Sequence, residues 1–148
     1  MDRDGTLIEE RHLLHECSEV KLLPDAASVI AKLKSVGYLL IVVTNQSVVS
    51  RGICTEKKLI QIHQYINQLL LDKEKIQLDS IYYCPHHPEA DVKNLRMNCS
   101  CRKPRPGMLQ KAKVKFNLNL RKCYMIGDRI TDIIAGYNAE CKTILFGE

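Results

Sequence analysis

Apolar residues are laid out along the chain in two ways, as blocks at helical spacing and as short continuous runs. After Pro24-Asp25, the residues Ala26, Val29, Ile30 and Leu33 recur three or four apart, the spacing of one helix face. Proline suits the first helical position, aspartate the positive end of the dipole, and Gly37 is a stop. Tyr38-Leu39-Leu40-Ile41-Val42-Val43 is unbroken and rich in β-formers, the pattern of a strand covered on both faces in a parallel sheet. It runs into four polar residues, Thr44-Asn45-Gln46-Ser47. Thr55-Glu56 then opens a long helix with the stripe Leu59, Ile62, Ile66, Leu69, Leu70. Ser80–Tyr83 reads as a short strand, and residues 84–107 as a proline-punctuated loop. A helix follows from Pro106 or Gly107 to Phe116, then a strand at Cys123–Ile126 ending in Gly127-Asp128. Ile130–Asn138 is helical and Thr143–Phe146 a last strand. Residues 7–23 lack clean periodicity and predict a loop over the mouth of a site, with a short strand near Val20–Leu23.

Strands alternating with helices predict an α/β fold with a mostly parallel sheet, in which ligands bind beyond the carboxyl ends of the strands. The polar residues Thr44-Asn45 and Asp128 fall at such ends. At 148 residues, with no repeat or linker, the chain reads as a single domain, 1–148. The net charge of +5 suits an anionic substrate but is too evenly spread for nucleic acid. No apolar run approaches membrane-spanning length, and the acidic N-terminus has no signal-peptide character. The seven cysteines are an odd number, three of them near histidines. They predict a metal site plus free thiols in a reducing compartment.

The chemistry starts at Asp2-Arg3-Asp4-Gly5-Thr6. Carboxylates at i and i+2 share one side of an extended backbone, and Gly5 allows the chain to turn. Such a pair can split nucleophile and proton-transfer roles, or hold a hard divalent cation; taken alone, it also fits a solvated acidic turn. Thr44-Asn45 offers neutral donors suited to phosphate oxygens, although polar residues end most strands. Lys103 can place a cation on a transferring phosphoryl group, or simply be a solvated basic residue. Asp128 can ligate a metal, and Asp132, one helical turn along, can orient Lys103 or the metal's waters; both also suit helix capping. Cys84-Pro85-His86 with Cys99-Ser100-Cys101 is the strongest self-contained signal. Three thiolates and an imidazole complete a zinc tetrahedron with no open position, which makes the zinc structural. His87 and His15 are possible substitutes, but His86 matches the spacing of the second pair.

Taken in order, Asp2-x-Asp4-Gly5-Thr6, Thr44-Asn45, Lys103 and Gly127-Asp128-x-x-x-Asp132 resemble the four signature motifs of the haloacid dehalogenase (HAD) superfamily of phosphatases. Val43-Thr44-Asn45-Gln46-Ser47, Arg51-Gly52, Tyr83-Cys84-Pro85-His86-His87-Pro88 and Cys99-x-Cys101-Arg102-Lys103-Pro104-x-Pro106-Gly107-Met108 narrow the resemblance. They are similar to the capless, zinc-stapled D-glycero-D-manno-heptose 1,7-bisphosphate 7-phosphatases, with histidinol-phosphate phosphatases as near relatives. The resemblance implies a HAD-like Rossmannoid three-layer sandwich with no cap domain and the zinc loop 84–107 over the site. It implies Mg²⁺-dependent removal of the 7-phosphate through an aspartyl-phosphate. Asp2 is then the nucleophile, Asp4 the acid and base, and Thr44 and Lys103 stabilise the phosphoryl oxygens. Mg²⁺ sits on Asp2, the Asp4 carbonyl and Asp128. Zn²⁺ sits on Cys84, His86, Cys99 and Cys101. Asn45, Gln46, Ser47, Arg51, Arg102 and Arg129 serve the substrate, a small phosphorylated sugar. The expectation is a monomeric, cytoplasmic bacterial enzyme with no nucleic-acid or membrane partner.

The chain also departs from that pattern. Only Met1 precedes Asp2, so the first strand reads as missing, which would expose two strand edges and unpin Asp2. Glu10-Arg11-His12-Leu13 stands where the family has a Gly-Tyr that contacts substrate, Val48 stands in place of a Gly, and the chain stops at Glu148 short of the usual tail. A truncated, catalytically impaired zinc-binding remnant is the alternative these departures raise.

Overall fold

A computed structural model describes residues 1–147. In chain order the elements are α1 (Ala26–Ser35), β1 (Ile41–Asn45), α2 (Ser47–Ser50), α3 (Glu56–Glu74), β2 (Ser80–Cys84), α4 (Gly107–Phe116), β3 (Tyr124–Gly127), α5 (Ile130–Asn138) and β4 (Lys142–Leu145). β1 pairs with β2 in parallel, Ile41 opposite Ser80 through Asn45 opposite Cys84. β3 pairs with β4 in parallel, Tyr124 opposite Lys142 through Gly127 opposite Leu145.

The first two residues join these pairs. The Met1 nitrogen donates to Ile41 O (2.9 Å), Val43 N–H donates to Met1 O (2.9 Å) and Asp2 N–H donates to Ile126 O (2.8 Å). Met1 and Asp2 thus lie between β1 and β3, in the order β2–β1–(Met1-Asp2)–β3–β4. The expectation that Asp2 would be unpinned is corrected: these three backbone bonds suffice, because both flanking strands present partners at that level. Beside Met1, the side chains of Leu39, Ile41, Tyr124 and Ile126 border an apolar groove of about 470 Å³.

Val42 and Val43, adjacent on β1, face opposite sides of the sheet and divide the core. Val42 packs with Leu7, Ile8, Leu14, Ile30, Ile62, Ile66 and Leu70 beneath α1 and α3. Val43 packs with Cys84, Cys101, Met108 and Met125 on the other side. Three layers result. On α3, Leu59, Ile62, Ile66 and Leu70 are wholly buried, at about 2 kcal/mol each from removal of apolar surface from water. The Thr55 side chain accepts from Lys58 N–H and caps that helix. α5 lies so close on β3 and β4 that a Cβ on Gly136 would fall 2.7 Å from Met125 and from Thr143.

Three expectations shift. The strand begins at Ile41, not Tyr38, because Tyr38 and Leu39 border that groove, 45% and 47% exposed. Val29 belongs to the expected α1 stripe but is half-exposed, since the helix turns Ala27 and Ile30, flanked by Ala26 and Leu33, into the core. Residues 7–23 are more than a loop over the site. Leu7, Ile8, Leu14 and Val20 are core, and Ile8 makes a single antiparallel bridge with Leu22. Among the described residues no helix is long and apolar enough to cross a membrane.

Candidate active site

The carboxyl ends of the parallel strands open into a cavity of about 520 Å³ lined by Asp2, Asp4, Thr44, Gln46, Lys103 and Asp132, among others. The polar run that ends β1 is delivered there by the strand itself, and Asp128, after β3, lies beside Asp2 at its edge.

Lys103 is the centre of charge. It is 4% exposed, and its Nζ lies 2.8 Å from Asp2 Oδ1 and 2.6 Å from Asp132 Oδ1. The third ammonium proton goes to Val43 O (2.9 Å). Asn45 holds the lysine's backbone from both sides: its Nδ2 donates to Lys103 O and its Oδ1 accepts from Lys103 N–H, each at 3.0 Å. Asp2 Oδ1 also accepts from Arg3 N–H (2.7 Å), so its second oxygen is not tied by these contacts. Asp132 is buried, and its Oδ2 accepts from Arg129 N–H (3.0 Å) at the start of α5. Burial raises the Asp132 carboxyl above its ordinary range, and the Lys103 charge opposes that.

Asp4 is held by a different set. Arg3 Nε donates to Asp4 Oδ2 (3.0 Å) and Arg3 Nη2 to Asp4 Oδ1 (2.9 Å). Gln46 Nε2 donates to Asp4 Oδ2 and to Thr44 Oγ1, both at 2.8 Å. The two carboxylates of the Asp-x-Asp motif therefore sit in different environments, one on a lysine and one on an arginine with an amide.

Asp2, Asp128 and Asp132 each bring a carboxylate oxygen within 4.8 Å of the others. Asp132 is committed to Lys103, but Asp128 Oδ1 is buried with no hydrogen-bond partner. Burial, and then the Asp2 charge, push the Asp128 carboxyl up. An orphaned, desolvated carboxylate oxygen beside a second carboxylate fits a hard divalent cation. Gly5, at φ +70°, makes room for it: a Cβ there would lie 2.3 Å from Asp128 Oδ2.

Ser47, Arg51, Arg102 and Arg129 line the cavity as expected of substrate groups. Two of these arginines have protein partners. Arg102 Nη1 donates to His86 O (3.0 Å), and Arg129 Nη2 pairs with Glu10 Oε2 (2.9 Å) across the mouth. Asn45 and Gln46 are turned into the scaffold, toward Lys103 and Asp4.

The loop 84–107 brings Cys84, His86, Cys99 and Cys101 together. The sulfurs lie 3.1 to 3.4 Å apart, and Cys101 Sγ is 3.5 Å from His86 Nδ1. These are not disulfides, whose bond is about 2.05 Å. They are somewhat inside the edge of about 3.7 Å that a tetrahedral zinc–thiolate site implies. Burial pushes the Cys84 and Cys101 thiols up. At Cys99 burial is outweighed by hydrogen bonds from Cys101 and Cys84, which lower it to about 6. His87 is not in the cluster, since its Nδ1 accepts from Glu89 N–H (3.1 Å). His15 is absent from it as well, its Nδ1 lying 2.9 Å from Leu13 O.

Sequence reasoning passed over Arg3 and His63. Arg3 stands between the two motif aspartates and reads as filler, and His63 reads as part of a helix interior.

An aspartate pair, a buried lysine and an orphaned carboxylate at the carboxyl ends of a parallel sheet are the equipment of a HAD-type phosphoryl hydrolase. The HAD-hydrolase-like family model matches residues 100–148. The D-glycero-beta-D-manno-heptose-1,7-bisphosphate 7-phosphatase of Photorhabdus laumondii is 37% identical over 97% of this chain and 76% of that protein. The Escherichia coli K12 enzyme of the same name is 37% identical over 97% of this chain and 74% of that protein. A crystal structure of D,D-heptose 1,7-bisphosphate phosphatase from B. bronchiseptica, complexed with magnesium and phosphate, superposes with a TM-score of 0.86. It is 30% identical, over 97% of this chain and 76% of that one. The chain belongs to the D-glycero-beta-D-manno-heptose-1,7-bisphosphate 7-phosphatase family of HAD hydrolases.

Proposed function

We propose that the protein is a Mg²⁺-dependent phosphatase that removes the 7-phosphate of D-glycero-D-manno-heptose 1,7-bisphosphate through a phosphorylated Asp2. The observation that carries the reading is Lys103, buried between Asp2 and Asp132 at the end of a charged cavity. An anionic nucleophile approaches an anionic phosphoryl group only if that repulsion is offset.

An Asp2 oxygen attacks phosphorus, and the bond to the sugar C7 oxygen breaks. Asp4 gives that oxygen its proton, and the heptose 1-phosphate leaves. Asp4 then takes a proton from water, whose oxygen attacks the acyl phosphate, so that inorganic phosphate departs and the Asp2 carboxylate is restored. Lys103 and Thr44 hold the phosphoryl oxygens, and Asp132 holds Lys103. Asp2, the Asp4 carbonyl and Asp128 would hold Mg²⁺, which supplies charge neutralisation at the phosphoryl group. Cys84, His86, Cys99 and Cys101 would hold a structural Zn²⁺ that fixes the loop, with Arg102, beside the cavity. Ser47, Arg51, Arg102 and Arg129 supply the donors and positive charge for the rest of the sugar bisphosphate, and Arg129 exchanges Glu10 for substrate.

The test is phosphate release from heptose 1,7-bisphosphate with Mg²⁺, with histidinol phosphate alongside. Release of the 7-phosphate, far faster than release from histidinol phosphate, is expected. Folded, zinc-loaded protein that releases phosphate from neither would overturn the reading.

A further inference from the structure

One buried titratable group near the site has no place in the reaction above. His63, on α3, is 7% exposed, and its Nε2 lies 3.3 Å from Arg3 Nη1. Arg3, 1% exposed, spends the rest of its guanidinium on Asp4 and on Gln46 Oε1 (Nη2, 2.8 Å). Arg3 sits at a bend in the backbone, and its guanidinium folds over to meet the carboxylate of the next residue. The groups that hold it curled are therefore part of how Asp4 is aimed.

Arginine has no acceptor and does not give up its proton. The Nη1 contact thus requires the Nε2 lone pair of a neutral ring, with the proton on Nδ1. Burial, and then the Arg3 charge, lower His63 to about 3, which keeps that lone pair available at any working pH. The ring is set by Tyr83, whose centroid is 5.7 Å away and whose hydroxyl donates to Glu56 Oε2 (2.7 Å).

We propose that His63 is a positioning residue: its neutral imidazole pins the Arg3 guanidinium, which with Gln46 holds the Asp4 carboxylate in line with the leaving oxygen. The inference rests on the function proposed above. It adds an acceptor on α3, on the far side of Arg3 from the reacting atoms, to the machinery that moves the proton.

His63→Phe keeps a ring against Tyr83 but removes the acceptor, and His63→Gln restores an acceptor on a side chain of similar reach. For His63→Phe, kcat on the sugar bisphosphate is expected to fall by about 10- to 100-fold, the order that a misaligned catalytic group costs. KM should stay within about twofold, and His63→Gln should recover most of the loss. Single-turnover phosphorylation by p-nitrophenyl phosphate, whose leaving group departs without a proton, should be spared in His63→Phe. If His63→Phe unfolds, His63→Leu is read in its place. Undiminished kcat in the folded apolar variant, equal losses in the Phe and Gln variants, or an equal loss on p-nitrophenyl phosphate would each overturn the inference. Wild-type protein inert to both substrates would overturn the functional reading, and this inference with it.

Discussion

Replacing Lys103 by methionine tests the charge arrangement most directly, because the length of the side chain is kept and only the cation goes. Its Nζ is within 2.8 Å of one carboxylate and 2.6 Å of another. Its removal leaves Asp2 and Asp132 facing each other without compensation. Breaking a buried ion pair by deleting one partner costs about 3–5 kcal/mol. For a domain of this size each kcal/mol lowers Tm by about 2–4 °C, so a fall of about 10 °C is expected. Turnover should fall about 10²–10³-fold, as when one donor to a developing negative charge is lost. The stability deficit also has a sign with pH. Burial raises Asp132 and the lysine opposes it, so without the lysine Asp132 rises further. A carboxyl raised on folding binds its proton more tightly in the folded state. Its contribution to stability is therefore lost as pH climbs from the ordinary carboxylate value through the folded one. Thermal unfolding of Lys103→Met at pH 5 and pH 8 should show the larger deficit at pH 8. Adding Asp132→Asn should restore part of the Tm but none of the turnover. Equal deficits at the two pH values, or turnover within fivefold of wild type, would refute the arrangement.

Other outcomes follow from the same geometry. Asp2→Asn should abolish turnover and the hydroxylamine-sensitive phosphoenzyme while leaving metal analysis at one zinc per chain; residual turnover above about 1% would point to another nucleophile. In Gly5→Ala the methyl would collide with Asp128 Oδ2 at 2.3 Å, at φ +70°, a strain of about 1–2 kcal/mol. The Mg²⁺ concentration for half-maximal activity should rise about tenfold, and an unchanged Mg²⁺ titration would argue that Asp128 does not hold the cation. Cys101→Ser should lower zinc content and speed protease cleavage within residues 84–107 before global unfolding. Unchanged zinc and unchanged cleavage would remove Cys101 from the ligand set.

Part of the candidate site was readable because its residues are tied to strand ends. Thr44 follows a continuous apolar run and Asp128 follows Met125-Ile126, and period alone places such residues at one rim of a parallel sheet. The Cys₃His set was readable from spacing, since two short pairs bring two ligands each. The β1 start was misplaced because apolar character at Tyr38 and Leu39 does not reveal that they border an open groove. Val29 was misplaced on α1 for a like reason: the helix stripe gives a face, not how much of that face has a neighbour. Arg3, Gln46 and His63 form one network from positions 43 and 60 residues apart, which no local pattern can announce.

Local pattern was thus sufficient for the order of strands and helices, the rim where polar residues gather and the clustering of the Cys₃His set, because periodicity and short spacings act over a few residues. Only the folded chain could show that Met1 and Asp2 are pinned between β1 and β3, that Asp132 rather than solvent faces Lys103, and that Arg3 turns back on Asp4. Those outcomes depend on which buried charges meet across the sheet, and burial makes each meeting too costly to leave unpaired.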